Sequence, residues 1–281
     1  MVGIQEIISQ LQGEVEILLE GYSLENIYKA TIYAALRASI TAKGEDYSLI
    51  KPLERKIPPT LSAMVKRRLV SRFSYIIRLL EGMLDNLRPT IIDEGNINQL
   101  VSKLRRSLHR IDFVMIYDCM SLIEFIIVSA YLKRRGLDTA FLDVVFINPL
   151  GLTKYVTQQL PGTEYRTVLR EFAHMLAEEL GGRSYSKSAY IDLRVHEYGS
   201  LGVEEFIDKL DIERIASEVF EKALRGRVLV TSDHGYDIVV NKESNYLYVI
   251  HGHRLTKNGF AGVSLLPLSR FSFFMEASPL V

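Results

Sequence analysis

The run Val228 to Val240, VLVTSDHGYDIVV, places Asp233, His234 and Gly235 at the end of an apolar stretch. A carboxylate beside an imidazole, followed by a glycine that lets the backbone turn, brings two kinds of metal ligand to one strand end. Upstream lies Asp192-x-x-x-His196 within YIDLRVH, and downstream lies His251-Gly252-His253. Asp, His, Asp-His and His thus follow one another, each beside a strand-like segment. That order points to a hydrolase with two divalent metal ions, and Asp and His side chains suit zinc or manganese. His251 and His253 would share one face of an extended segment, so either can be the last ligand.

Residues 1–110 read as helical. Ser23 can cap a helix through Ala38, Pro58-Pro59-Thr60 opens a longer one that Arg88-Pro89 stops, and Ile97 to Arg110 forms a third. From Asp112 the pattern changes to strands alternating with helices. Strands are expected at 113–117, 140–147, 188–193 and 228–231, with further ones at 236–240, 246–251 and 262–275. Helices are expected at 121–135, 153–160, 165–180 and 203–224. This alternation predicts an α/β fold, a mostly parallel sheet with helices on both faces. An N-terminal helical domain over 1–110 would precede a catalytic domain over 111–281.

In an open parallel sheet, ligands gather beyond the carboxyl ends of the strands. Asp118 follows the strand 113–117. Thr153 follows the strand 140–147 and a Pro149-Leu150-Gly151 turn, at a helix start. Asp192 would end the strand 188–193, and Asp233 and His234 follow 228–231. All five would therefore face one crevice. Each piece also has a plainer reading: Asp-His-Gly can be a turn, Asp-x-x-x-His arises by chance, and Thr153 can be a helix cap. Their order and placement together carry the argument. His109 and His174 lie in helical segments and are not expected to be ligands. Cys119 is the one cysteine, too few for a disulfide, and reads as a small packing residue.

At these residues the chain resembles the alkaline phosphatase superfamily and, within it, the PglZ domain, over about residues 111–281. The resemblance implies an alkaline phosphatase-like sheet and two metal sites. Asp192, His196 and His251 would hold one ion, and Asp118, Thr153, Asp233 and His234 the other. It implies that Thr153 attacks phosphorus, because a bound cation favours the alkoxide of an otherwise weak nucleophile. Amide groups at a helix start suit an anionic phosphoryl oxygen, and Lys154 could contact phosphate. The sequence Asp118-Cys119-Met120-Ser121 lacks the Arg often found just after that Asp in PglZ-like chains. Ser121 is a rival nucleophile, although its position suits a helix cap better. The implied activity is phosphodiester hydrolysis on nucleotides or oligonucleotides. A phosphomonoesterase or phosphomutase is the alternative, and a non-catalytic partner-binding scaffold in a defence or signalling system is another.

Composition narrows the remaining classes. The 281 residues carry no net formal charge, and 48% are hydrophobic. Residues 1–110 hold 16 Lys and Arg against 12 Asp and Glu, and the remainder 18 against 22. That basic excess is too small to establish nucleic-acid binding. Lys66-Arg67-Arg68, Arg105-Arg106 and Lys133-Arg134-Arg135 read as solvated helix faces, and the N-terminal helices are the expected place for a protein partner. No uncharged apolar run reaches membrane-spanning length and the first residues lack a signal-peptide pattern, so a cytoplasmic protein without a membrane partner is expected. Neither G-x-x-x-x-G-K-[ST] nor G-x-G-x-x-G occurs.

Overall fold

A computed structural model describes residues 4–85, 96–108, 110–241, 244–252 and 262–280. Among them, the strands are β1 (Phe113–Tyr117), β2 (Leu137–Ile147), β3 (Ser184–Ser188), β4 (Val228–Thr231), β5 (Asp237–Asn241), β6 (Tyr246–Ile250), β7 (Gly262–Pro267) and β8 (Phe271–Pro279), with β1, β4 and β6 rich in β-branched and aromatic residues. Before the first strand come the helices α1 (Ile4–Leu18), α2 (Leu24–Lys43), α3 (Lys51–Arg55), α4 (Pro59–Arg68), α5 (Val70–Asp85) and α6 (Ile97–Ser107). Between the strands lie α7 (Leu122–Arg134), α8 (Thr153–Gln159), α9 (Val168–Glu179), α10 (Tyr190–Tyr198), α11 (Val203–Lys209) and α12 (Ile212–Ala223).

The main sheet has the order β2-β8-β4-β1-β3. β1 runs parallel to both β3 and β4, whereas β8 runs antiparallel to β4 and β2. The fold is therefore α/β, with four strands pointing one way and one reversed strand among them. Phe271, Phe273 and Met275 of β8 pack in one core and Phe274 in the other. A strand apolar on both faces belongs in a sheet interior. A second, antiparallel sheet has the order β6-β5-β7.

The period-two alternation of side chains divides the core. Met115, Tyr117, Val228 and Val230 share one cluster with α7, α12 and the buried faces of α1, α2, α4 and α5. Val114, Ile116 and Leu229 face the other, with Leu104 of α6 and Phe172 of α9. The sheet is thus covered on both faces, as the alternating sequence predicts.

One polar group lies inside the first cluster. Glu124, fully buried, completes a capping box at the start of α7: its Oε2 accepts from the Ser121 backbone N–H at 2.9 Å and from the Ser121 hydroxyl at 2.6 Å. Its Oε1 accepts from the hydroxyls of Tyr28 and Tyr236, each at 2.6 Å. Burial raises the Glu124 pKa, against the pull of these hydrogen bonds. The carboxyl group thereby joins α2, the start of α7 and the segment after β4.

Several sequence expectations are corrected. Residues 188–193 are not a strand: β3 ends at Ser188 and Asp192 lies in the first turn of α10. Ile191 and Val195 are buried while Leu193 is exposed, which is a four-residue step that the alternation of Ile191 and Leu193 hides. The helix expected over 203–224 breaks at Leu210, and the Asp211 side chain accepts from Arg214 N to start α12. The long helix opened by Pro59 divides at Leu69, and 262–275 divides into β7 and β8. Arg88-Pro89, His109 and His253 lie outside the described residues. Among the described residues, no helix is long and apolar enough to cross a membrane.

Asp237 opens β5, and its Oδ1 accepts a hydrogen bond from Ser269 N at 2.7 Å. Burial pushes this carboxyl from 3.8 up to about 6, against the hydrogen bonds of Ser269. The folded protein then holds the proton more tightly than the unfolded chain does. The contribution to stability is full below the unfolded value, falls as pH rises toward about 6, and stays lost above it. Asp237→Asn cannot ionise. Between about pH 4.5 and about pH 7.5 it should gain on the order of 1–2 kcal/mol relative to wild type in chemical denaturation. Parallel pH profiles for the two proteins would refute this.

Candidate metal centre

The sheet register sets the site. Ile116 of β1 pairs with Thr231 of β4 in parallel, so Asp118 and Asp233, each two residues further on, leave neighbouring strands at the same level. On the other side of β1, the Asp118 backbone N–H donates to Ser188 O at 2.8 Å, where β3 ends just before α10. Asp192 and His196 then stand one turn apart on α10, the spacing at which helix side chains meet. His251 follows β6. Gly252 has φ 61°, and a Cβ there would run into Leu152, which packs the His251 loop against the one that carries Thr153.

Asn148 ties the last of these pieces together. This buried side chain donates to Leu152 O at 2.9 Å and to Asp233 O at 3.0 Å, and its oxygen accepts from Leu150 N at 3.2 Å. The turn before Thr153 and the segment after β4 are thus held by one amide. Sequence reasoning read the Pro149-Leu150-Gly151 turn but not this residue; an Asn before a Pro at a strand end was the available signal.

Two groups of ligand atoms result. In the first, Asp192 Oδ1 lies 3.2 Å from His196 Nε2 and 3.1 Å from His251 Nε2, and the two Nε2 atoms are 3.3 Å apart. In the second, His234 Nε2 lies 3.4 Å from Asp118 Oδ1, 3.5 Å from Asp233 Oδ2 and 3.3 Å from Thr153 Oγ1. Four ligands about 2.0–2.1 Å from a zinc ion are spaced about 3.3–3.4 Å from one another. Both groups match that spacing. The His234 and His251 rings stack with centroids 5.0 Å apart, so the groups adjoin. His234 Nδ1 lies 2.9 Å from Gly235 O, a contact that takes the ring proton and leaves Nε2 free to bind a cation.

The electrostatics fit a cation as well. Both oxygens of Asp233, Asp118 Oδ1 and His251 Nδ1 are buried without a hydrogen-bond partner. Burial, followed by the charges of Asp233 and Asp192, pushes the Asp118 carboxyl well above the usual range. Burial also works against charge on Asp192, but hydrogen bonds from His196 and His251 outweigh it and hold that carboxyl low. The His251 imidazole is lowered by burial first, then by the neighbouring His234 and His196, with Asp192 opposing. Unmatched buried carboxylates are costly, and a divalent cation is the partner that would satisfy three at once.

The structure thus brings together Asp118, Thr153, Asp192, His196, Asp233, His234 and His251. Asp192 arrives from a helix rather than from a strand end. The Ser121 hydroxyl is engaged with Glu124 in the capping box. Lys154 is exposed on α8. Tyr165, not singled out by sequence, stands near the site, and its hydroxyl pKa is raised by burial and then by Asp118, Asp192 and Asp233. No protein-family model matches this sequence, and neither does any curated protein.

Zinc should raise the unfolding temperature, by the equivalent of about 2.7 kcal/mol at 100 times its Kd, and EDTA should reverse the gain. Asp233→Asn removes one of three crowded carboxylates. Without metal this variant should unfold at a higher temperature than wild type, and zinc should stabilise it less. Calorimetry showing lower metal-free stability with an undiminished zinc effect would sink this account.

Proposed function

We propose that the chain is a metal-dependent phosphoester hydrolase with an alkaline phosphatase-like sheet, acting as a PglZ-like phosphodiesterase on nucleotides or oligonucleotides. The observation that carries this reading is the hydroxyl of Thr153, 3.3 Å from His234 Nε2 within a group of carboxylate and imidazole ligands. Two divalent cations, zinc or manganese, held by Asp192, His196 and His251 and by Asp118, Thr153, Asp233 and His234, would favour the ionised hydroxyl and offset charge on the phosphoryl oxygens.

The rest follows from the residues. Thr153 gives its hydroxyl proton to solvent, Oγ1 attacks phosphorus and the bond from phosphorus to the leaving oxygen breaks, with the electron pair leaving on that oxygen, which takes a proton from water. Water then attacks the phosphothreonine and restores the hydroxyl. Asn148 fixes the Thr153 turn against the Asp233 segment, so nucleophile and ligands keep their spacing. Tyr165, largely exposed yet close enough to the three carboxylates for them to raise its pKa, suits a residue at the mouth of the site. Three carboxylates line the site, and Lys187 is the cation acting on Asp118.

Hydrolysis of bis-p-nitrophenyl phosphate and p-nitrophenyl phosphate, with zinc, manganese or EDTA, tests the proposal. Diester cleavage should require metal. Thr153→Ala should retain metal and lose activity by on the order of 10³-fold or more. Full activity in Thr153→Ala would remove it as nucleophile. Monoester cleavage alone would indicate a phosphatase, and a metal-free inactive protein would indicate a scaffold.

A further inference from the structure

Cys119 follows Asp118 directly and is fully buried, yet its backbone has φ 67°. That left-handed region favours glycine, and a side chain there is retained against a steric cost. Its Sγ lies 3.6 Å from Asp192 Oδ1, the same oxygen that meets His196 and His251, and 3.5 Å from the His234 ring at Nδ1. With Asp118 and Asp192, one from each of the two sites, it forms a metal-ligand grouping in which the ligand atoms all lie within 4.8 Å of one another. Within this grouping Asp118 Oδ1 is buried without a hydrogen-bond partner.

Sulfur and oxygen ligands on one tetrahedral zinc, with bonds of about 2.3 and 2.1 Å, are spaced about 3.6 Å apart. Cys119 meets that spacing to Asp192. We propose that Cys119 is a thiolate ligand lying between the two metal positions, and that it biases the centre toward zinc. This rests on the metal-centre reading above. On binding, the S–H bond breaks, the proton leaves to solvent, and the sulfur electron pair bonds the cation. A soft thiolate favours zinc, whereas manganese prefers oxygen ligands.

The test is titration of the full chain with Co²⁺, followed by absorption spectroscopy. Because the chain has one cysteine, a near-ultraviolet thiolate-to-cobalt charge-transfer band in wild type is assigned to Cys119. The expected result is this band in wild type, lost in Cys119→Ser and in Cys119→Gly while both keep the visible d–d bands. The glycine variant suits the left-handed backbone, which guards against a folding defect in the serine variant. In competition, both variants should also lose preference for zinc over manganese. Visible bands in wild type without the near-ultraviolet band would overturn the thiolate while leaving the metal centre standing. Absence of any cobalt band in wild type would overturn both.

Discussion

Three carboxylates held close together in a largely buried place are the constraint on which this structure turns. Asp233 and Asp192 repel Asp118, and burial makes the Asp118 charge more costly. A fold reaches such an arrangement only if its framework is stiff enough to oppose the repulsion. Here the stiffness comes from adjacent parallel strands in fixed register and from an α-helix that starts just beyond a third strand. Asn148 adds a fourth restraint through hydrogen bonds to two separate segments.

The buried carboxyl of Glu124 makes an instructive contrast. It accepts hydrogen bonds from two tyrosine hydroxyls, a serine hydroxyl and a backbone amide. Asp233 is buried as deeply and has no partner for either oxygen. A saturated buried acid is a structural member, whereas an unsaturated one in a native fold calls for a ligand. The two kinds sit close in the chain fold, because Tyr236, which serves Glu124, lies two residues beyond His234. Tyr28 of α2 completes the same network, so the N-terminal helices reach the support of the site through one hydroxyl.

Much of this was legible in the sequence because it is locally determined. The strand 113–117, the strand 228–231, the Ser23 and Ser121 caps and the ends of α7 follow from apolar runs and side-chain capping. The candidate ligands, which the fold brings close together, were legible through residue type and order. What escaped the sequence depends on distant partners. The segment after Ser188 alternates like a strand over a few residues, but tertiary burial of Ile191 and Val195 selects a helix. Asn148 and Glu124 look like ordinary polar residues until the segments that they join are brought together. The sulfur of Cys119 gains meaning only through Asp192 and His234, 73 and 115 residues away.

The placement of β8 has a consequence for the newborn chain. This strand, Phe271–Pro279, lies between β2 and β4, which are made long before it. Until it emerges from the ribosome, those two strands have no common neighbour, and the Asn148 backbone N–H lacks its acceptor, the Arg270 carbonyl. Pairing between segments so far apart is slow to form. Thr153, carried just after β2, is consequently made well before β8 can join it to the side chains that follow β1, β3 and β4. Completion of the candidate site thereby waits for β8 to be made and to slide between β2 and β4, which closes the scaffold.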